Sequence, residues 1–281
     1  MQTESIGGGK TMTGKRFCST VFRAVQFVIL TLALCIVASV MLPSSAWAAE
    51  SPVSIELSDE AITADYPGVY SEGGVLTITL PGEYLLKGTL TNGQIIVECE
   101  QNGKVRLILA GVSVHCETGP ALYIKKCSPR LSLELAEGTV NELSDGTAYP
   151  KDSAPDGVIY SKSDLTITGT GALTVKGAYR NGIVSKDDLR IKSGVITVEA
   201  VRNGICGKDS VEIFDGEITV TAGNDGIKTT NDDPAWGYIS MEGGTVTITC
   251  GDDPLAFVNG FSAVGATIRT TVDSSLKTSG D

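Results

Sequence analysis

The sequence predicts an all-β chain folded as a parallel β-helix, a solenoid of coils about 22 residues long, behind a leader removed on export. Three observations predict it. The first is repetition: Gly182-Ile183-Val184-Ser185-Lys186-Asp187-Asp188-Leu189-Arg190-Ile191 returns 22 residues later as Gly204-Ile205-Cys206-Gly207-Lys208-Asp209-Ser210-Val211-Glu212-Ile213. Both blocks continue with Gly-x-Ile-Thr-Val, at 194–198 and 216–220. The second is that apolar residues fall into columns when the blocks are aligned. Val158, Ile183, Ile205, Ile227 and Leu255 make one; Leu165, Leu189, Val211, Ile239 and Phe261 a second; Ile167, Ile191, Ile213 and Met241 a third; Val175, Val198, Val220 and Ile248 a fourth. Within a block they sit two apart, the period of a strand. The third is punctuation by Gly, Asn and Asp, the residues that turns require. A coil of short strands cannot bury its apolar side alone, and stacking the next coil on it both buries that side and pairs the backbones. A β-sandwich also has many short strands, but it does not require near-identical 22-residue blocks.

The elements follow in chain order. Lys10, Lys15, Arg16 and Arg23 precede an apolar run of about 16 residues at 27–42, then Pro43-Ser44-Ser45-Ala46-Trp47-Ala48. This is the pattern of a secretory signal cleaved after Ala48, and the run is short for a membrane span of ~20 residues. Residues 1–48 are therefore expected to be a signal peptide and 49–73 an N-terminal cap or linker. The β-helix is expected over 74–270 and a disordered tail over 271–281. Within the helix, 75–90, 95–99, 105–114, 122–124 and 131–135 read as strands of earlier coils. The coil at 157–181 has a small insertion at Gly169-Thr170-Gly171, and the one at 226–253 gains six residues near 229–237.

Composition excludes several function classes. The formal net charge is −11, and the leader is basic, so the exported part is more acidic still. An acidic exported chain repels nucleic acid and attracts cations, and no membrane association is expected once the leader is gone. The five cysteines beyond the leader (Cys99, Cys116, Cys127, Cys206, Cys250) are odd in number and lack C-x-x-C spacing. They read as buried thiols, neither a disulfide framework nor a zinc site. His115 is the single histidine, which leaves Ser-His-Asp chemistry without support. No Gly-rich phosphate loop opens a helix.

The segment from about 74 to 253 resembles a known family, the exported carbohydrate-binding domain-containing β-helix proteins of plant-cell-wall-degrading bacteria. The matching residues are Ser185-Lys186-Asp187-Asp188-Leu189, Gly204 to Val211, Asn224-Asp225-Gly226-Ile227-Lys228 and Gly237 to Gly244, with Leu107 to Val112 and Leu135 to Thr139 upstream. These proteins are similar to the right-handed β-helical lyases that cleave pectate with calcium. The resemblance implies a right-handed helix, bound Ca2+, and affinity for cellulose or pectin-like polymers. Two junctions depart from the family pattern, reading Arg180-Asn181-Gly182 and Arg202-Asn203-Gly204 where Asn/Asp-Asp-Gly-Ile is usual.

The columns give the resemblance candidate residues. The junction column holds Asp156, Asn181, Asn203, Asp225 and Asp253, with Arg180, Arg202, Asn224 and Asp252 beside it. Rungs of a sheet lie ~4.8 Å apart and calcium takes oxygens at ~2.4 Å, so an ion fits between two stacked side chains. The calcium candidates are Asn203, Asn224, Asp225, Asp252 and Asp253, with a second cluster at Asn231, Asp232 and Asp233. The alternative is that Asx-Gly pairs only make turns and stacked Asn side chains only make ladders. Lys162, Lys186 and Lys208 form a second column, each next to Asp residues. Lys186 and Lys208 are candidate bases for abstracting the proton alpha to a uronate carboxylate; the alternative is a solvated turn in which each Lys pairs with a neighbouring Asp. Arg180 and Arg202 are candidates for holding sugar carboxylates, and Tyr179, Trp236 and Tyr238 for stacking on sugar faces. The expected protein is a secreted, calcium-stabilised, non-catalytic binder of plant-cell-wall polysaccharide. The alternatives are a weak or inactive pectate lyase and an extracellular adhesin rod, and the oligomeric state stays open.

Overall fold

Strands of four to six residues with period-2 apolar patterning are too short to stand alone, and pairing along a coil axis resolves this. The computed structural model describes residues 51–150 and 155–277; the expected signal peptide lies outside them. Each coil from Gly157 onward supplies three strands. The central ones are Asn181–Ser185, Asp188–Ile191 and Val195–Ala200, followed by Ile205–Gly207, Ser210–Ile213 and Glu217–Ala222. The first strand of every coil joins a nine-stranded sheet, and the second and third join two arms of a fifteen-stranded sheet. In the nine-stranded sheet the strands from Val75–Ile78 to Leu255–Ala256 run parallel, while Val69–Glu72 pairs antiparallel at one edge.

The two arms meet in the long strand Val105–Cys116. Its first half pairs with Leu131–Leu135 and its second with Val140–Asp145. The bend falls at Gly111, whose φ of +89° suits glycine. The fully buried Asn141 holds it: its Oδ1 accepts the Gly111 and Val112 N–H groups at 3.0 and 2.9 Å. Its Nδ2 donates to the Ala172 carbonyl at 3.0 Å, so a buried amide is satisfied by backbone that the bend leaves unpaired.

The register stacks equal positions of the repeat. Ile183 pairs with Ile205, Ile205 with Ile227 and Ile227 with Leu255. Leu165, Leu189, Val211, Ile239 and Phe261 form the second column. The Ile167 and Val175 columns also follow the expected order. One assignment is corrected: the residue paired with Ile183 is Ile159, not Val158. Gly157 stands beside Asn181, where counting from the glycines aligns it with Gly182, so the coil is offset by one residue. Both Val158 and Ile159 are buried.

Order extends beyond the expected helix limits at both ends. Val53–Leu57, within the expected cap or linker, pairs in parallel with the strand Gly82–Leu90. At the other end Thr267–Val272 pairs along its whole length with Thr245–Cys250, crossing the expected boundary at 270. A 3-10 turn Ser274–Leu276 follows, with Asp273 accepting the Ser275 N–H at 3.0 Å. The tail expected to be disordered from 271 is therefore ordered through Lys277, because its threonines continue the strand pairing and Asp273 caps the turn.

Because Ile205 sits between two stacked isoleucines with no exposed surface, Ile205→Ala is expected to cost about 2–5 kcal/mol in urea denaturation. Val195→Ala, at a position 43% exposed, is expected to change stability by less than ~0.5 kcal/mol.

Candidate functional site

The nine-stranded sheet is bounded by two corners, and stacking turns each corner into columns of like side chains. At the junction corner, just before Asn181–Ser185, the expected calcium residues form a hydrogen-bonded ladder. Asn181 Oδ1 accepts the backbone N–H and the Nδ2 of Asn203, at 3.2 and 3.0 Å. Asn203 Oδ1 accepts the Asp225 N–H at 3.2 Å, and Asp225 Oδ1 accepts the Asp253 N–H at 3.3 Å. The buried Asp225 is also held by Lys228 Nζ at 2.7 Å, and that hydrogen bond raises the lysine pKa. Asp252 is exposed and ion-paired to Lys277 at 3.1 Å. Asn224 differs: its Oδ1 is buried with no hydrogen-bond partner, a donor oxygen of the kind a hard cation takes.

Beside this ladder stand Arg180 and Arg202 on successive rungs, joined by the Arg202 N–H to Arg180 carbonyl bond at 2.7 Å. Arg180 lies over the Tyr179 ring at 5.1 Å, and Tyr179 stacks on Tyr149 with centroids 4.2 Å apart. The buried Asp145 positions both tyrosines. It accepts the Tyr149 hydroxyl at 2.7 Å and the Ala178 and Tyr179 N–H groups at 2.6 and 3.3 Å. Burial raises its pKa, and those three donors pull it back.

The other corner follows the same strands and carries a cluster of acids. Asp164, Asp187 and Asp188 place carboxylate oxygens within 4.8 Å of one another. Arg190 joins Asp164, Asp188 and Glu212 at 3.2, 2.6 and 2.7 Å. The Ser210 hydroxyl donates to Asp188 at 2.6 Å. Asp187 is crowded by acids instead: burial first, then Asp164 and a hydrogen bond shared with Asp209, push its pKa up to about 6. The donors are all oxygen, which suits Ca2+, and the crowding felt by Asp187 is charge that a cation neutralises. Asp164, Asp187 and Asp188 bring three carboxylates to one place, whereas at the junction Asp225 has both oxygens held by Lys228 and the Asp253 N–H; within the cluster Arg190 and Ser210 hold both oxygens of Asp188.

The candidates thus distribute over three places. Asn203, Asn224, Asp225, Asp252 and Asp253 lie at the junction. Lys186 and Lys208 border the acid cluster, with Lys208 Nζ 3.8 Å from Asp209. Asp232 and Asp233 sit exposed in the inserted loop, where Asp233 accepts the Ala235 N–H at 2.9 Å. Asn259 fastens that loop through the carbonyls of Asn231, Asp233 and Trp236. Trp236 is 38% exposed on it. The Tyr238 hydroxyl donates to Glu212 at 2.8 Å, which ties this residue into the acid cluster. Sequence reasoning missed Arg190 and Glu212. Their signal is the opposite charge at equal places of the two near-identical blocks, which the register pairs directly.

A family profile described as "Carbohydrate-binding domain-containing protein" matches residues 72–280. The chain belongs to the carbohydrate-binding domain-containing family. A protein of that description from Acetivibrio thermocellus is 40% identical over 236 residues, covering 82% of each chain. Among solved structures, a polysaccharide lyase-like protein from C. thermocellum, in its gadolinium derivative, superposes with a TM-score of 0.70 at 35% identity. That match covers 79% of this chain and 96% of the other. The family match spans both corners, and the neighbour shares the β-solenoid.

A carboxyl whose folded pKa, about 6 for Asp187, exceeds the unfolded value of ~4 favours the fold below pH ~4 and loses that contribution as pH rises through about 6. In calcium-free buffer the melting temperature is therefore expected to fall between pH 4 and 7, and Asp187→Asn to flatten that fall. Thermal melts across that range check it.

Proposed function

We propose that the protein is a secreted, calcium-stabilised, non-catalytic binder of plant-cell-wall polysaccharide, cellulose or pectin-like acidic glycans. The observation that carries this reading is the family match over 72–280. It falls on a solenoid whose outward side chains recur at every rung, a spacing suited to a repeating polymer. At the junction corner Arg180 and Arg202 offer cationic donors to sugar carboxylates, and the Tyr149–Tyr179 stack holds Tyr179 rigid beside them. Asp164, Asp187 and Asp188 are the residues that would hold Ca2+ at the opposite corner, with Asn224 Oδ1 a ligand at the junction. The ion supplies positive charge that lets stacked carboxylates approach. Arg190 and Ser210 keep Asp188 oriented in its absence.

A non-catalytic role agrees with the chemistry of the lysines. Lys186 and Lys208 occupy equal places in a repeat, whereas a base that abstracts one proton is needed once. The His115 ring is engaged by Ser144 at 3.0 Å and Glu117 at 3.2 Å. The lyase-like neighbour favours a second reading, a polysaccharide lyase of weak activity. Export rests on the leader pattern at 1–48.

The mature protein is expected to co-sediment with insoluble cellulose and with pectate, and chelation is expected to weaken retention and lower the melting temperature. Absence of retention on both polymers contradicts the reading. Incubation with polygalacturonate is expected to give no absorbance from unsaturated uronates; a calcium-dependent rise establishes the lyase. N-terminal sequencing of secreted protein is expected to start at Ala49.

A further inference from the structure

The register that builds the core also aligns four lysines. Ser161 pairs with Ile124 and with Ser185, and Ser185 pairs with Gly207. The residues that follow these four are Lys162, Lys125, Lys186 and Lys208, so one lysine stands at the same place on four consecutive coils. The backbone ladder continues into them: the Lys162, Lys186 and Lys208 N–H groups donate to the Ile124, Ser161 and Ser185 carbonyls at 2.9, 2.8 and 2.9 Å. Glu98 borders the column at one end and Thr230 at the other, leaving a track of four rungs, ~14 Å long at ~4.8 Å per rung.

Like charges on adjacent strands repel, and the expected remedy, pairing of each Lys with its neighbouring Asp, is largely missing. Lys208 has Asp209 at 3.8 Å and Lys125 has Glu98 at 3.3 Å. Among the described residues, no carboxylate reaches ion-pair distance of Lys162 or Lys186, and both are exposed. Of the nearby acids, Asp187 is clustered with Asp164 and Asp188, and the others are committed elsewhere. Asp164, Asp188 and Glu212 are bound to Arg190, and Asp209 takes the Asn231 amide at 2.5 Å. The lysines thus form a cationic stripe on a chain of formal net charge −11, so attraction to an anion is confined to this line and works against the field of the whole chain. The half-buried Tyr123 ring lies between Lys125 and Lys162, 5.8 Å from each ammonium, and is held edge-on by Tyr160.

We propose that Lys125, Lys162, Lys186 and Lys208, with Tyr123 beside them, form the track that seats a linear polyanion, the acidic polysaccharide chain running parallel to the coil axis. The proposal rests on the reading of the protein as a binder of acidic glycans. Ammonium groups act as point charges without the paired geometry of a guanidinium, so the track reads carboxylate along a line and tolerates variation in sugar spacing. Its contribution is screened by salt. It assigns Lys186 and Lys208 to binding, not to proton abstraction.

The test compares the full mature protein with Lys162→Gln/Lys186→Gln, Lys162→Arg/Lys186→Arg and Arg180→Ala, on polygalacturonate and on cellulose, at low and high salt. Because both lysines are exposed on a column of like charge, the glutamine variant is expected to melt at or slightly above the wild-type temperature. It is expected to bind polygalacturonate about tenfold more weakly, a change of ~1.4 kcal/mol, with a shallower salt dependence and unchanged retention on cellulose. The arginine variant is expected to retain binding. Unchanged polygalacturonate affinity in the glutamine variant overturns the track, and a loss confined to Arg180→Ala moves the seat to the junction corner. Wild-type protein that binds neither polymer refutes the functional reading itself.

Discussion

The parallel pairing of one coil on the next, in a single register, is the constraint on which the rest of this protein depends. Because the repeat is 22 residues and the strand period is two, residues at equal places become neighbours across a rung. A slip of one residue exchanges the buried and exposed faces of a strand. The buried columns prevent this: Ile183, Ile205, Ile227, Leu189 and Val211 are all fully buried, and each is worth roughly 1.5–3 kcal/mol of transfer from water. Packing specifies the register, and the register then dictates every outward column.

Outward columns meet a difficulty that inward ones do not. Repetition stacks like on like, which is favourable for isoleucine and unfavourable for ionised groups. The chain resolves it differently at each place. At the junction it sets Asn181 and Asn203, whose amides both donate and accept, between Asp156 and the pair Asp225 and Asp253. Between the strands Asp188–Ile191 and Ser210–Ile213 it sets Arg190 opposite Glu212. At Asp187 and Asp209 it lets two acids share a hydrogen bond, and the carboxyl of Asp187 resists ionisation. Among the lysines Lys125 and Lys208 have an acidic partner, whereas at Lys162 and Lys186 no ion pair is built among the described residues, and that unrelieved charge is what an external polyanion would meet.

Much of this was legible in the sequence, for a physical reason. The repeat exposes the register directly, so three of the four apolar columns were read correctly from spacing, and the fourth erred only at Val158. That error arises at Gly157, where counting from glycines loses a residue. The chemistry was less legible. Asp225 was recognised as part of a column, but not that Lys228, three residues on, turns back to hold it. Asp164 and Asp188 were seen only as neighbours of lysines, because the salt bridges of Arg190 span three coils and no local pattern encodes that reach. The end of the fold was obscured by the loss of the repeat consensus after Pro254, although Thr267–Val272 still pairs along its whole length.

The register can be tested most directly by cross-linking. Thr197 and Thr219 are Cα partners on adjacent strands, at a rung separation within the ~4.4–6.8 Å that a disulfide spans. In the double variant Thr197→Cys/Thr219→Cys, mild oxidation of the folded protein is predicted to join the two introduced thiols, seen by mass spectrometry as one disulfide-linked peptide pair. The Thr197→Cys/Thr221→Cys variant, whose positions are two residues out of register, is predicted to close poorly. Closure of the second pair in preference to the first, or of neither, would contradict the stacking from which the core, the acid cluster and the lysine track all follow.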